Sequence, residues 1–137
     1  MPDLARFSVS LAKNLLDKFD QHIQAEQYPT RSKAVEDLIR LCLIKKEWAQ
    51  GDEVAGAVLI VYDHHKPNLA AKLTRIQHDY HHTIISTQHI HLDHDNCLEI
   101  IVVKGKPEEV ETLAQRLKTM KGVKHGSLTM TTTGKGV

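Results

Sequence analysis

Histidine is concentrated in one part of this sequence, in a pattern that predicts metal binding. Eight of the ten histidines lie between His64 and His94, far more imidazoles than the packing of a core requires. His89 and His91 alternate with apolar residues, so on a β-strand both side chains point to the same face. Taken alone, this pair of histidines would fit equally a surface strand with one exposed polar face. Cys97 follows close behind, and imidazole with thiolate is a donor set typical of nickel, copper and zinc sites.

Whether Cys97 can join the two histidines depends on the register of the predicted hairpin. If residues 92–96 form a five-residue loop, His91 lies opposite Cys97, and His89 lies opposite Glu99. A four-residue loop would turn Cys97 to the other face, and both loop lengths are ordinary. In the five-residue register Glu99 is a hydrogen-bond acceptor for the ligands. Three ligands do not close a site. The candidates for a further ligand lie near the end of a predicted helix: His78, His81 and His82.

A second candidate surface lies near the N-terminus. In residues 5–10, Arg6, Ser8 and Ser10 alternate with apolar residues, which predicts a short strand with one polar face. Two such strands, paired antiparallel from two copies of the chain, would form a ribbon of the kind that enters the DNA major groove. There, Arg can bridge guanine acceptors and Ser can meet several base edges. An exposed polar strand face is the equally good alternative.

Two helices are predicted after this strand. The first has apolar residues at helical spacing and ends near Gln27. The second has Thr30 as its N-cap and ends before Gly51, and Cys42 lies on its apolar stripe, where we expect a core position. A unit of this size, with one unpaired strand, buries little surface alone. We therefore expect it to dimerise through residues 5–10.

The rest of the chain predicts a small ferredoxin-like domain of the α+β class, with the order βαββαβ. The predicted strands are 54–62, 83–92, 97–105 and 123–130, and the predicted helices begin at Pro67 and Pro107. The residues after 130 are expected to fray. We place a DNA-binding domain at 1–50 and a metal-binding domain at 54–132.

Composition narrows the class of protein. Lys and Arg number 18 against 17 Asp and Glu, a net charge of +1, which excludes a strongly basic coat protein and an acidic tail. No run of about 18 apolar residues is present, and the N-terminus lacks the layout of a signal peptide. We expect a cytoplasmic protein without a membrane partner.

Over nearly its full length the chain resembles the NikR family of nickel-responsive transcriptional regulators. The matching stretches are RFSVSL, TRSKAVEDLIR, VLIVYDHHK, the Gln77-His78 pair, HIHLDHDNCLEI and the late VKHG. The resemblance implies a ribbon-helix-helix DNA-binding domain joined to an ACT-like domain, assembled as a homotetramer that is a dimer of dimers. It also implies a palindromic double-stranded DNA operator and repression of nickel-uptake genes.

For the metal site, the resemblance implies Ni²⁺ in a square plane. The four ligands would be His89, His91 and Cys97 of one subunit and His78 of a neighbour. Square-planar nitrogen and sulfur ligation favours nickel or copper over zinc, which prefers a tetrahedron. Besides Glu99, we expect Tyr62 and His64 to support this site or to contact the DNA backbone.

One position departs from the family pattern. Where this chain has Lys33, relatives often have an acidic residue that builds a second, hard-cation site with an Asp matching Asp37. Protonated lysine has no lone pair to donate to an ion. Either that site is absent or the ammonium group occupies its space. Lys33 precedes Asp37 by four residues on the predicted helix, which predicts an ion pair between them.

Two other functions stay open on these residues alone. A metalloenzyme would use an open His/Cys site, but no general base with a clear partner accompanies it, and four protein ligands would leave no position for substrate. A ribbon-helix-helix repressor that senses a small metabolite would not need the H-x-H-x5-C pattern. We expect a regulator and not an enzyme.

Overall fold

The computed structural model describes residues 3–137. The chain forms two compact units that divide between Leu41 and Cys42, inside the second helix. Within residues 3–137, every helix is too short or too polar to cross a membrane. The elements are α1 (Lys13–Ala25), α2 (Arg31–Gln50), β1 (Val54–Asp63), α3 (Leu69–Asp79), β2 (Ile84–His91), β3 (Asn96–Gly105), α4 (Pro107–Lys118) and β4 (Val123–Thr131).

Side-chain hydrogen bonds hold α1 and the start of α2 in place. The hydroxyl of Thr30 accepts a hydrogen bond from the backbone N–H of Lys33 at 3.1 Å, which confirms the predicted N-cap. Arg31 donates from Nε and Nη2 to the two carboxylate oxygens of Asp20, at 2.8 and 2.7 Å. This two-pronged geometry makes the ion pair between the helices more directional than a single contact.

The predicted ion pair within α2 is present. The ammonium group of Lys33 lies 2.6 Å from a carboxylate oxygen of Asp37. The hydrogen bond from Lys33 lowers the pKa of Asp37, and the same bond raises the pKa of Lys33. The carboxylate of Asp37 is therefore paired within its own helix.

Residues 5–10 differ from the prediction, because they form no strand in this single chain. A strand exists only through hydrogen bonds to a neighbouring strand, and residues 3–41 offer none. Phe7 is 71% exposed and Val9 is 62% exposed. Cys42, expected in a core, is exposed as well. The apolar stripe on which it lies is largely uncovered in one chain.

The C-terminal unit has the predicted βαββαβ order. Its four strands form one antiparallel sheet in the order β2-β3-β1-β4. Side chains along β1 and β3 alternate between buried and half-buried, as expected when helices cover one face of a sheet. The buried residues form one core with those of α3 and α4, including Val58, Ile60, Ile101, Leu73 and Leu113.

Two details of this unit correct the predictions. Helix α3 begins at Leu69 instead of Pro67, because Asn68 takes a left-handed conformation with φ of 64°. The residues after Met130 also do not fray. The indole N–H of Trp48 donates to the backbone oxygen of Thr131 at 2.8 Å, and the Thr132 hydroxyl donates to Glu47 at 2.9 Å. The end of α2 therefore anchors the C-terminal tail.

Gly56 yields a prediction about the sheet. A Cβ added at this position in β1 would lie 2.7 Å from the backbone oxygen of Thr129 in β4. We expect Gly56→Ala to lower the free energy of unfolding by about 1–3 kcal/mol, because two backbones would have to separate. Urea denaturation at matched protein concentration measures this. Gly136→Ala is the control, since its Cβ would approach only the Glu47 carboxylate, at 3.6 Å. Equal stability of the two variants would contradict the packing argument.

Candidate metal centre

The β2–β3 hairpin has the register that a metal site requires. His91 pairs with Cys97, and His89 pairs with Glu99, so the connection between the paired residues is the five-residue loop. Because directly opposed residues share a face, the hairpin brings two imidazoles, one thiol and one carboxylate to the same side of the sheet. This side is also the one that α3 and α4 cover, but both histidines lie on an edge strand and stay exposed.

Cys97 lies in a group of closely spaced donor atoms. Its sulfur lies 3.4 Å from Nδ1 of His91 and 3.2 Å from Nδ1 of His64. The donor atoms of these three residues all lie within 4.8 Å of one another. His64 reaches the sulfur because Tyr62, two residues earlier, pairs with Cys97 across β1 and β3. The sequence assigned His64 only a supporting role, and this pairing is the signal that locates it.

Burial and nearby negative charge favour the protonated form of the Cys97 thiol. Its residue is 0% exposed. Burial raises the pKa of the thiol, and the negative charges of Glu99, Asp63 and Asp93 raise it further. A metal ion that binds the sulfur must displace this proton, so metal binding and proton release are coupled.

Glu99 orients His89, the candidate ligand that pairs with it on β2. Its carboxylate accepts a hydrogen bond from the Tyr62 hydroxyl at 2.7 Å and lies 3.1 Å from Nδ1 of His89. Since a carboxylate only accepts, the His89 Nδ1 carries the proton and Nε2 is free to bind a metal. Burial raises the pKa of Tyr62, and its bond to Glu99 adds to that effect. The tyrosine therefore stays a hydrogen-bond donor.

Two of the expected ligands stand apart from the Cys97 group. The His89 ring lies 5.0 Å from the His91 ring between centroids, but the three-donor group contains His64 in its place. His78 is exposed in the last turn of α3, beside His81, whose ring centroid is 6.0 Å away. Within residues 3–137 it joins no group of three close donors.

A second group of donors adjoins the first on the surface. His65 lies 3.6 Å from a carboxylate oxygen of Asp95, and its ring centroid lies 5.2 Å from that of His94. All three residues are exposed. The His65 ring lies beside the His64 ring, with 4.0 Å between centroids, so the surface group continues into the Cys97 group.

A single chain does not arrange the candidate DNA-contacting residues on one face of a strand. Arg6, Ser8 and Ser10 are exposed in the segment that forms no strand. Their arrangement on one face of a ribbon thus requires a second copy of residues 5–10.

Comparison with known proteins identifies the family. Residues 55–131 match the model described as the NikR C-terminal nickel-binding domain, and residues 5–46 match the ribbon-helix-helix proteins of the copG family. This chain belongs to the NikR family.

Relatives named as nickel-responsive regulators match nearly the whole chain. A protein of Chlorobium limicola named as a nickel-responsive regulator is 55% identical over 134 residues, which cover 98% of this chain and 100% of the relative. One of Syntrophus aciditrophicus with the same name is 54% identical, with 98% of each chain covered. An uncharacterised Thermotoga maritima protein of known structure shares only the fold, with a TM-score of 0.52, 12% identity and coverage of 58% of this chain and 98% of that chain.

The donors around Cys97 fit the metal for which the NikR domain is named. A thiolate suits soft and borderline metals, imidazoles suit nickel, and neither is the preferred ligand of magnesium or calcium. His89 is supported in the tautomer that can bind through Nε2, and Glu99 supplies the acceptor that metal-bound histidines usually have. The family and the donor chemistry therefore agree on Ni²⁺.

The two cysteines differ in a way that thiol chemistry can test. Cys42 is exposed in one chain, whereas Cys97 is buried. In metal-free protein at neutral pH, we expect a disulfide reagent to modify Cys97 slowly, because it is buried and its pKa is raised. Raising the pH should accelerate that modification, and Cys42→Ala should leave the rate at Cys97 unchanged. Mass spectrometry of timed samples gives this rate, and rapid modification of Cys97 at neutral pH would contradict the burial argument.

Proposed function

We propose that Ni²⁺, bound at the centre around Cys97, raises the affinity of this protein for a palindromic operator and represses genes of nickel uptake. The chain is a nickel-responsive ribbon-helix-helix transcriptional regulator of the NikR family and not an enzyme. One observation carries the proposal: a buried thiol with converging imidazoles lies in the nickel-binding match, on the same chain as a DNA-binding match. The open-site metalloenzyme and the metabolite sensor have no such support.

For the ligands, we propose His89, His91 and Cys97 of one subunit with His78 of the partner subunit, in a plane. The hairpin register and the free Nε2 of His89 support the first three. His78 is exposed and joins no group of three close donors among residues 3–137, as expected of a ligand given to a neighbour. His64 lies near the sulfur but is proposed to support the thiolate without binding the metal.

For assembly, we propose a homotetramer built as a dimer of dimers. Two separate apolar surfaces of one chain support two kinds of contact. The first contains the exposed side chains of Phe7 and Val9, and pairing there would complete the ribbon. The second is the face of the sheet opposite the helices, where Leu59, Leu98 and Ile100 are only half-buried. Two distinct self-complementary surfaces close a tetramer.

For DNA recognition, we propose that Arg6, Ser8 and Ser10 of two chains read base edges in the major groove of double-stranded DNA. A two-fold symmetric ribbon calls for a palindromic operator. Residues 1–50 would act as the DNA-binding domain in the cytoplasm, and residues 54–132 as the metal-binding and tetramerisation domain. If nickel raises operator affinity, the operator must raise nickel affinity by the same factor.

The metal assignment predicts a characteristic spectrum. A planar nickel centre with one thiolate should be diamagnetic and should show charge-transfer absorption from the Cys97 sulfur. Cys97→Ala should abolish that absorption, whereas Cys42→Ala, the matched exposed cysteine, should leave it unchanged. Absorption and magnetic susceptibility of the loaded protein test this. A paramagnetic octahedral centre would refute the ligand set, and loss of planarity in His64→Ala would make His64 a ligand.

If Arg6, Ser8 and Ser10 form the reading surface that contacts DNA bases, substituting one of them should reduce base specificity. Arg6→Ala should cost about 1–3 kcal/mol of operator binding and relax the preference at one base pair. Fluorescence anisotropy with an operator selected by the wild-type protein, and with its single-base variants, measures both effects. Nickel affinity in the absence of DNA should not change. Arg75→Ala, an exposed arginine of α3, should leave base preference intact. Unaltered operator binding by Arg6→Ala would remove residues 5–10 from the reading surface.

A further inference from the structure

We propose that Gln77 is a positioning residue that joins the last turn of α3 to the metal ligands on the β2–β3 hairpin. The inference rests on the proposed function of this site. It assigns a role to a side chain that is not itself a ligand and that lies one residue before His78.

Both ends of the Gln77 amide are engaged, each by a different strand. Its NH2 group donates to one carboxylate oxygen of Glu99 on β3, at 2.9 Å. Its carbonyl oxygen accepts a hydrogen bond from the hydroxyl of Thr87 on β2, also at 2.9 Å. The carboxylate can only accept and the hydroxyl is placed to donate, so the orientation of the amide is determined. Gln77 therefore bridges the two strands of the hairpin from the helix above them.

The hydrogen bond from Gln77 to Glu99 matters because Glu99 is only 8% exposed. A buried carboxylate is stable only when its oxygens accept hydrogen bonds. One oxygen receives Tyr62 and His89, and the other receives Gln77. Without the amide, that second oxygen would lose its donor, and the carboxylate would rotate or draw in water. His89 would then lose the acceptor that keeps the proton on Nδ1.

The same amide also sets the position of His78. Gln77 and His78 are adjacent in the last turn of α3, so anchoring one side chain to the hairpin restricts the backbone of the other. Through Glu99, Gln77 orients His89 for the site on its own subunit. Through the backbone, it presents His78 to the site of the partner subunit. A single side chain thereby couples two nickel centres of the assembly.

The test compares Gln77→Leu, which keeps the volume and removes both hydrogen bonds, with Gln115→Leu on the exposed face of α4. Titration of the full-length protein with Ni²⁺ against a competing chelator should show about 10- to 100-fold weaker binding for Gln77→Leu. At saturation its spectrum should match the wild type, since all four proposed ligands remain. Gln115→Leu should bind as the wild type does. Affinity of Gln77→Leu within twofold of wild type would overturn the proposal.

A second readout separates positioning from general destabilisation. Nitrogen-15 NMR of the imidazoles in metal-free protein should show His89 with its proton on Nδ1 in the wild type and a mixture of tautomers in Gln77→Leu. An unchanged tautomer would also overturn the proposal. This measurement needs no nickel, so failure of the wild type to bind nickel would refute the proposed function and leave the test of Gln77 intact. If Gln77→Leu does not fold, Thr87→Val decides, with a smaller change in the same direction expected.

Discussion

Pairing of His91 with Cys97 across β2 and β3 determines which side chains can share a metal ion, because side chains along a strand alternate between faces. A shift by one residue would turn Cys97 away from both histidines and bring Leu98 into its place. The register also aligns Glu99 with His89, and the separate pairing of β1 with β3 places Tyr62 beside Cys97. The donor atoms and the acceptor that supports them therefore depend on the hairpin alignment, and the position of the buried Tyr62 hydroxyl depends on the pairing of β1 with β3.

Burial gives this centre its preference for a cation. Glu99 and Cys97 are both buried on the same strand, and burial raises the pKa of the Cys97 thiol, with the negative charge of Glu99 raising it further. The negative charge of Glu99 is tolerated because Tyr62, His89 and Gln77 all direct hydrogen bonds at it. A divalent metal would offset the charge of both groups at once. Hydrogen bonds thus order these side chains, and a bound cation would balance their negative charge.

In a single chain, both units expose side chains that are suited to contacts with another copy of the chain. Residues 5–10 have the alternation of a strand but find no strand partner among residues 3–137, and Phe7 and Val9 remain exposed. In the C-terminal unit the sheet keeps a half-buried apolar face, and His78 joins no donor group within the described part of the chain. The proposed assembly would supply what each unit lacks, so the proposed reading of DNA and the proposed binding of nickel both call for neighbouring subunits.

Local patterns were sufficient to predict much of this protein. Spacing along a helix or a strand predicted the order of the elements, the Thr30 cap, the Lys33–Asp37 pair and the common face of His89 and His91. Each of these features depends only on residues a few positions apart in the chain.

Contacts between distant segments, by contrast, could be located only in the tertiary structure. The hairpin register was one of two allowed alternatives, and the approach of His64 to Cys97 follows from the pairing of β1 with β3. The bridge through Gln77 and the anchoring of the tail by Trp48 likewise join residues far apart in sequence. The spacing of residues in the chain determines which donors are present, but their distances depend on strand pairing and helix packing, which no local pattern specifies.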